Sequence, residues 1–261
     1  MACARGAARH WGGVMKLGYH LDREAAPNGV FGVVVLQSDE TLERELSPLF
    51  AADGAALHHT RIPFADAVNP ETLRQMRRDL PSAVALFPSE TPFDVIAYGC
   101  TSGATMIGSA EVEAAIHSIK PDAKVTNPVA AVLAACEKLG ARRLGFLTPY
   151  LPPVSRAMRE LLEGHGLEVT AFGSFEQESD RAVARISRAS VIDAIREIDA
   201  RGQVDAVFAS CTNLRTFGLI SEAEAAIGKP LITSNQALAW HMFSLAGLAL
   251  PSNGPGRLFR V

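Results

Sequence analysis

Apolar residues in this chain come in short unbroken runs, and between the runs they recur at helical spacing. The run Val30–Leu36 is rich in β-branched residues and lacks polar alternation, as expected of a strand buried on both faces of a parallel sheet. Residues 93–98, 124–126, 143–147, 167–172, 206–209 and 230–233 read as further strands. Residues 41–50, 110–119, 130–139, 190–201 and 221–227 read as helices between them. Gly140 supplies a C-cap for the helix over 130–139. Ser190 and Ser221 are candidate N-caps, each with an acidic residue within the next turn. Such alternation predicts an α/β fold with mostly parallel sheets and helices on both sides.

The pattern also repeats itself. FDVIAYGCTSGATMIG, starting at Phe93, resembles VDAVFASCTNLRTFG, starting at Val204; both are apolar strands that end in Cys-Thr. GVFGVVVLQSDET from Gly29 matches GARRLGFLTPYLP from Gly140, and KVTNPVAAVLA from Lys124 matches LITSNQALAWH from Leu231. The three pairs keep one order and lie about 110 positions apart. Three landmarks in register predict two similar Rossmann-like lobes related by a pseudo-two-fold axis, with the active site in the cleft between them. The expected division is a flexible extension over 1–14, a first lobe over 15–126 completed by a segment near 240–261, and a second lobe over 127–239.

Composition narrows the function without naming it. A chain of 261 residues with 48% hydrophobic and 20% charged residues is ordinary for a globular enzyme. A net charge of -3 with no basic stripe argues against nucleic acid, and no apolar run is long enough to span a membrane. The N-terminus has no apolar stretch of the secretory kind, so the expected compartment is the cytoplasm with reduced thiols. The four cysteines form no CxxC pair, and no Cys/His cluster has zinc spacing. His58 and His59 are adjacent on a strand, so they point to opposite faces and make a poor metal pair. No metal and no cofactor are expected.

The chemistry sits at the strand ends. Cys100-Thr101 and Cys211-Thr212 each follow a buried strand and face the cleft. Ser102 with Gly103 in one half, and Asn213 in the other, let backbone N–H groups converge near a helix start. That is an anion site, and it also lowers a thiol's pKa toward the thiolate. Two opposed thiols can work on the two faces of one substrate, one taking a proton or adding to carbon, the other supplying a proton. A single cysteine in this setting would be read as core packing; a matched pair in an internal repeat is read as function. Cys136, in an apolar helix, is read as core, and Cys3 as uninvolved. Ser38, Asp39, Asn127, Tyr150 and Asn235 also end strands and are candidate substrate contacts. Asn127 before proline equally suits a turn, and Asn235 an N-cap. Arg215 suits either a carboxylate contact or an exterior salt bridge, whereas Glu40 and Glu43 suit a helix start.

YGCTSGATMIG and SCTNLRT, with the LTPY turn and both asparagine turns, resemble the maleate cis-trans isomerase branch of the aspartate/glutamate racemase superfamily. The resemblance runs from about Met15 to the C-terminus. It implies that Cys100 attacks an alkene carbon as thiolate, that the covalent adduct rotates about the former double bond, and that Cys211 handles the proton. It also implies that Asn127, Tyr150 and Asn235 hold or cover substrate carboxylates. The first turn departs from the family's Ser-Ser-Asn-Thr: here it reads Gln37-Ser38-Asp39-Glu40-Thr41 and resembles the ectoine-utilisation protein branch. An ionised Asp39 repels a dicarboxylate and suits an ammonium group, so a small carboxylate and an amino acid both stand as substrate classes. The expected activities are therefore cis-trans isomerisation, or two-base racemisation or epimerisation. A decarboxylase or a non-catalytic binding protein fits less well, since neither needs both thiols. A homo-oligomer is the expected assembly.

Overall fold

The computed structural model describes residues 17–20, 26, 28–64 and 70–261, apart from the side chains of 70–74. The expected extension over 1–14 and Cys3 lie outside the described residues. In chain order the elements are β1 (Val30–Leu36), α1 (Leu42–Ala52), β2 (Ala56–Ile62), α2 (Pro70–Val84), β3 (Val95–Gly99), α3 (Thr101–Ile107), α4 (Ser109–His117), β4 (Lys124–Thr126) and α5 (Pro128–Leu139). They continue with β5 (Arg143–Thr148), α6 (Pro152–Gly164), β6 (Glu168–Ser174), α7 (Asp180–Val183), α8 (Arg188–Arg201), β7 (Ala206–Ala209), α9 (Ile220–Ile227), β8 (Leu231–Thr233) and α10 (Ser234–Ala246).

Two four-stranded parallel sheets result, β2-β1-β3-β4 and β6-β5-β7-β8. The second repeats the first strand for strand, as the internal repeat predicts. Successive side chains on a strand point to opposite faces, and each sheet uses both. Phe31, Val33 and Val35 of β1 join Phe146 and Phe208 of the second sheet, together with α1, α5 and α10, in one shared apolar core. Phe31, Phe50 and Phe243 form an aromatic cluster in it, with ring centroids 4.6–5.3 Å apart. Val34, Ile96 and Tyr98 face outward against α2 and α4, and Val207 and Ala209 face outward against α8 and α9. The central layer makes the two lobes share one interior, which holds their strand ends at a fixed separation.

In each sheet the chain leaves the first strand on one side and returns on the other. The crevice outside the carboxyl ends of β1 and β3, and of β5 and β7, is where such sheets bind ligands. Asp39 and Cys100 end β1 and β3; Tyr150 and Cys211 follow β5 and β7.

Local details depart from expectation at two helix starts. α8 begins at Arg188 and is capped by Ser187, whose Oγ accepts the Ser190 N–H; Ser190 is inside the helix. α9 grows out of a 3₁₀ turn over Phe217–Leu219, so Ser221 caps nothing. Gly140 does close α5 in the left-handed conformation, with φ +67°.

Candidate active site

Cys100 and Cys211 line one cavity of about 310 Å³ between the lobes, with Thr101, Ser102, Tyr150, Thr212, Asn213 and Asp39 also in its wall. The same wall carries Leu151, Pro153 and Val154 from the start of α6 and Gln177, Glu178 and Asp180 from the segment after β6, none of which the sequence pattern singles out. The wall is mostly apolar with a few convergent polar groups, as small-molecule sites are.

The two cysteine turns are built differently. Cys100 is the N-cap of α3: its backbone is extended and its Sγ accepts the Gly103 N–H at 3.2 Å, with Ser102 Oγ at 3.6 Å. A Cβ at Gly103 would press on the Tyr98 hydroxyl and lie 3.0 Å from the Cys100 sulfur, so only glycine lets the N–H approach the thiol. Cys211 opens no helix directly. Its φ is +102°, a left-handed conformation that few non-glycine residues adopt. Its N–H donates to Ser234 Oγ at 3.0 Å, and the Tyr150 hydroxyl hydrogen-bonds its thiol.

The two turns are also latched to each other. Thr101 Oγ1 donates to the same Ser234 Oγ at 2.9 Å, and Thr212 Oγ1 donates to the Gly99 carbonyl at 3.3 Å. Ser234 thus bridges both cysteine motifs, a role that no sequence feature of α10 announces.

The electrostatics correct one expectation. Burial pushes the Cys100 thiol up from 9.0 to about 11, against the bonds from Ser102 and Gly103, and the negative charges of Asp180 and Asp39 push the same way. Burial and Asp180 likewise push Cys211 well up. Both thiols therefore rest protonated, because desolvation outweighs the helix-start effect. Asp39 is corrected as well. Its Oδ1 accepts the Thr41 and Leu42 N–H groups at 2.8 Å each and starts α1, and burial holds its carboxyl above the usual range. Its Oδ2 is buried with no hydrogen-bond partner, which disfavours the charged form unless a cation or hydrogen-bond donor meets it.

Three candidate contacts lie outside the cavity wall. Asn127 Oδ1 caps α5 by accepting the Val129 and Ala130 N–H groups, the local reading that Asn before proline allows. Asn235 is not the N-cap of α10, which is Thr233; its Nδ2 donates to the Thr212 carbonyl at 2.8 Å and to Glu45 at 2.7 Å. Ser38 Oγ donates to Asp180 Oδ2 at 2.5 Å and so supports a wall residue from behind. Asn213 keeps its place in the wall although its amide is engaged, accepting from Glu40 N–H and donating to the Asp180 carbonyl. Arg215 donates to the Ile186 carbonyl. Among the described residues no cluster has the makings of a metal site, and no helix is long and apolar enough to cross a membrane.

Comparison with known proteins agrees with this architecture. The chain is 28% identical over 240 residues to the maleate isomerase of Nocardia farcinica, covering 88% of this chain and 94% of that one. A solved structure of the Nocardia farcinica maleate cis-trans isomerase, a Cys-to-Ser variant with a covalently bound succinylcysteine intermediate, superposes with TM-score 0.80 at 27% identity, over 89% of this chain and 98% of that one. The arylmalonate decarboxylase of Bordetella bronchiseptica is 32% identical over 136 residues, 51% of this chain and 57% of that one. The arylmalonate decarboxylase family model matches residues 94–259, from the start of β3 to the C-terminal turn and across both cysteine motifs, and the chain belongs to that family.

Proposed function

We propose that this protein is a cofactor-independent isomerase of a small unsaturated carboxylate, acting on maleate or a close analogue. The observation that carries the reading is the meeting of Cys100 and Cys211 in one cavity, each from the same strand end of its own lobe. A decarboxylase needs one proton donor; two thiols suit a reaction that both adds to carbon and moves a proton.

Cys100 first gives up its proton to solvent at the cavity mouth and adds as thiolate to one alkene carbon, and the π pair moves to the neighbouring carbon. Cys211 delivers its proton there, leaving a saturated thioether free to rotate about the new single bond. Cys211 then takes a proton back, the double bond re-forms in the other geometry, and the Cys100 thiolate leaves and is reprotonated. No proton is gained or lost over the cycle. Thr101, Ser102 and Thr212 line the wall beside the thiols, and backbone N–H groups at such turns suit carboxylate oxygens, while the Asn213 N–H serves the Cys211 sulfur. Tyr150, hydrogen-bonded to Cys211, suits a hydroxyl that steadies the thiolate formed when that proton leaves.

A second reading is favoured by one observation. Among the described residues the wall carries Asp39, Glu178 and Asp180 and no lysine, arginine or histidine. That balance suits a substrate with an ammonium group, and a two-base racemisation or epimerisation of an amino-acid derivative. Proton NMR in D₂O with maleate, aspartate and glutamate enantiomers and diaminobutyrate derivatives separates the two. Fumarate growing from maleate supports the cis-trans isomerase. Loss of an α-proton signal without it supports the racemase. Neither change with any of these compounds overturns both.

A further inference from the structure

The second cysteine turn belongs to β7 by sequence, yet it is gripped by the first lobe. Glu40 N–H donates to Asn213 Oδ1 and Thr41 Oγ1 donates to the Asn213 carbonyl, both at 2.9 Å. One turn further along α1, Glu45 Oε1 accepts the Thr216 and Phe217 N–H groups at 2.6 and 2.9 Å. Its other oxygen accepts from Asn235 Nδ2, whose second hydrogen goes to the Thr212 carbonyl. A single carboxylate thus ties together both ends of the turn that starts at Cys211. The backbone at Cys211 needs such restraint, because a positive φ at a residue with a Cβ persists only when its surroundings over-determine it. Cys100 needs none of it, since α3 itself fixes an extended N-cap.

We infer that Glu45 is a positioning residue for Cys211: from the opposite lobe, through Asn235, it holds the thiol where it can exchange a proton with a substrate bound at Cys100. The inference rests on the two-thiol reading, and it adds a residue that never touches the cavity.

Glu45→Gln tests it. Glutamine can keep the two backbone N–H bonds with its oxygen, but it then turns an N–H toward the Asn235 N–H, donor against donor, and breaks the link to Thr212. The expected result is a fall in kcat for maleate of about 10²-fold, the scale of a displaced catalytic group, with KM changed less than about three-fold. Alkylation by iodoacetamide, mapped by peptide mass spectrometry, should quicken at Cys211 and stay unchanged at Cys100. Asn235→Ala removes the same link from the other side and should give the same signature if Glu45→Gln does not fold. Wild-type kcat in the folded variants, or equal quickening at both cysteines, overturns the inference. The alkylation readout needs no substrate. A protein inert toward maleate therefore defeats the isomerase reading while the positioning of Cys211 is still decided.

Discussion

The Cys100 and Cys211 turns are copies in sequence and opposites in construction. Both follow a buried strand with Cys-Thr. In the first, the helix begins at once, the backbone is extended at φ -145°, and the sulfur caps its own helix. In the second, five residues separate the cysteine from the 3₁₀ turn, φ is +102°, and the conformation is held from outside by Glu40 and Thr41 just before α1, by Glu45 of α1, and by Ser234 and Asn235 of α10. The first turn is a local structure and the second is a tertiary one. A duplicated motif can therefore present two thiols to one cavity while giving each a different environment. One sulfur receives hydrogen bonds from its own turn, and the other from the Asn213 N–H of its turn and from a tyrosine of the neighbouring strand end.

Four measurements break or sharpen this comparison. The largest effect is on turnover: Cys211→Ala should lower kcat by about 10²–10⁴-fold, as loss of a proton-transfer group does, with Cys100→Ala at least as severe. Cys136→Ala, in the core and outside the cavity, should leave kcat near normal. Gly103→Ala comes next. The added methyl presses on Tyr98 and the Cys100 sulfur, and overpacking of this kind costs about 1–3 kcal/mol in chemical denaturation. The cysteine backbones then separate the two turns directly. Cys211→Gly should be more stable than Cys211→Ala by about 1 kcal/mol, because glycine relieves the positive φ. At Cys100 no positive φ is relieved, so the gain of Cys100→Gly over Cys100→Ala should be smaller than at Cys211 and come only from glycine's N-cap preference over alanine.

The smallest effect is in the pH dependence of stability. The Cys100 thiol is raised from 9.0 to about 11, and Cys136 is pushed up to about 12 by burial. Above the ordinary thiol value the unfolded chain sheds protons that the folded chain keeps, so stability is fully present below about pH 9 and falls as pH rises through about 11. Thermal unfolding between those pH values should show the decline, and a Cys100→Ala/Cys136→Ala variant should make it shallower, with the buried Cys211 thiol supplying what remains.

How much of this was legible in the sequence follows from which interactions are local. The strands were, because a run such as Val30–Leu36 with no polar alternation has few places to go but the middle of a sheet. The shared cavity of the two cysteines followed from the repeat. α3 and α6 were harder to see: α3 is a run of small residues, and the start of α6 is marked only by Pro152 and Pro153, a signal that its N1 position explains. Asn127 and Asn235 are equivalent in the repeat but not in the structure. One caps its own helix, the other reaches Glu45 at 190 positions' distance in sequence. Glu45, Ser234 and Asp180 carry no motif at all. Their importance lies in partners far along the chain, and a periodicity cannot show such pairs. The raised thiol pKa was hidden for the same reason, since depth of burial is a property of the whole packed layer.

The central claim is that one thiol adds to the substrate while the other handles the proton. The most direct test is the mass of the Cys211→Ser protein after incubation with maleate, followed by peptide mapping. The account predicts a gain of one substrate molecule per chain, carried on Cys100 and absent from Cys136, because solvent or the serine hydroxyl can still protonate the adduct while serine is too weak a base to take the proton back and release product. An unmodified protein, or an adduct spread over Cys136 as well, would contradict it.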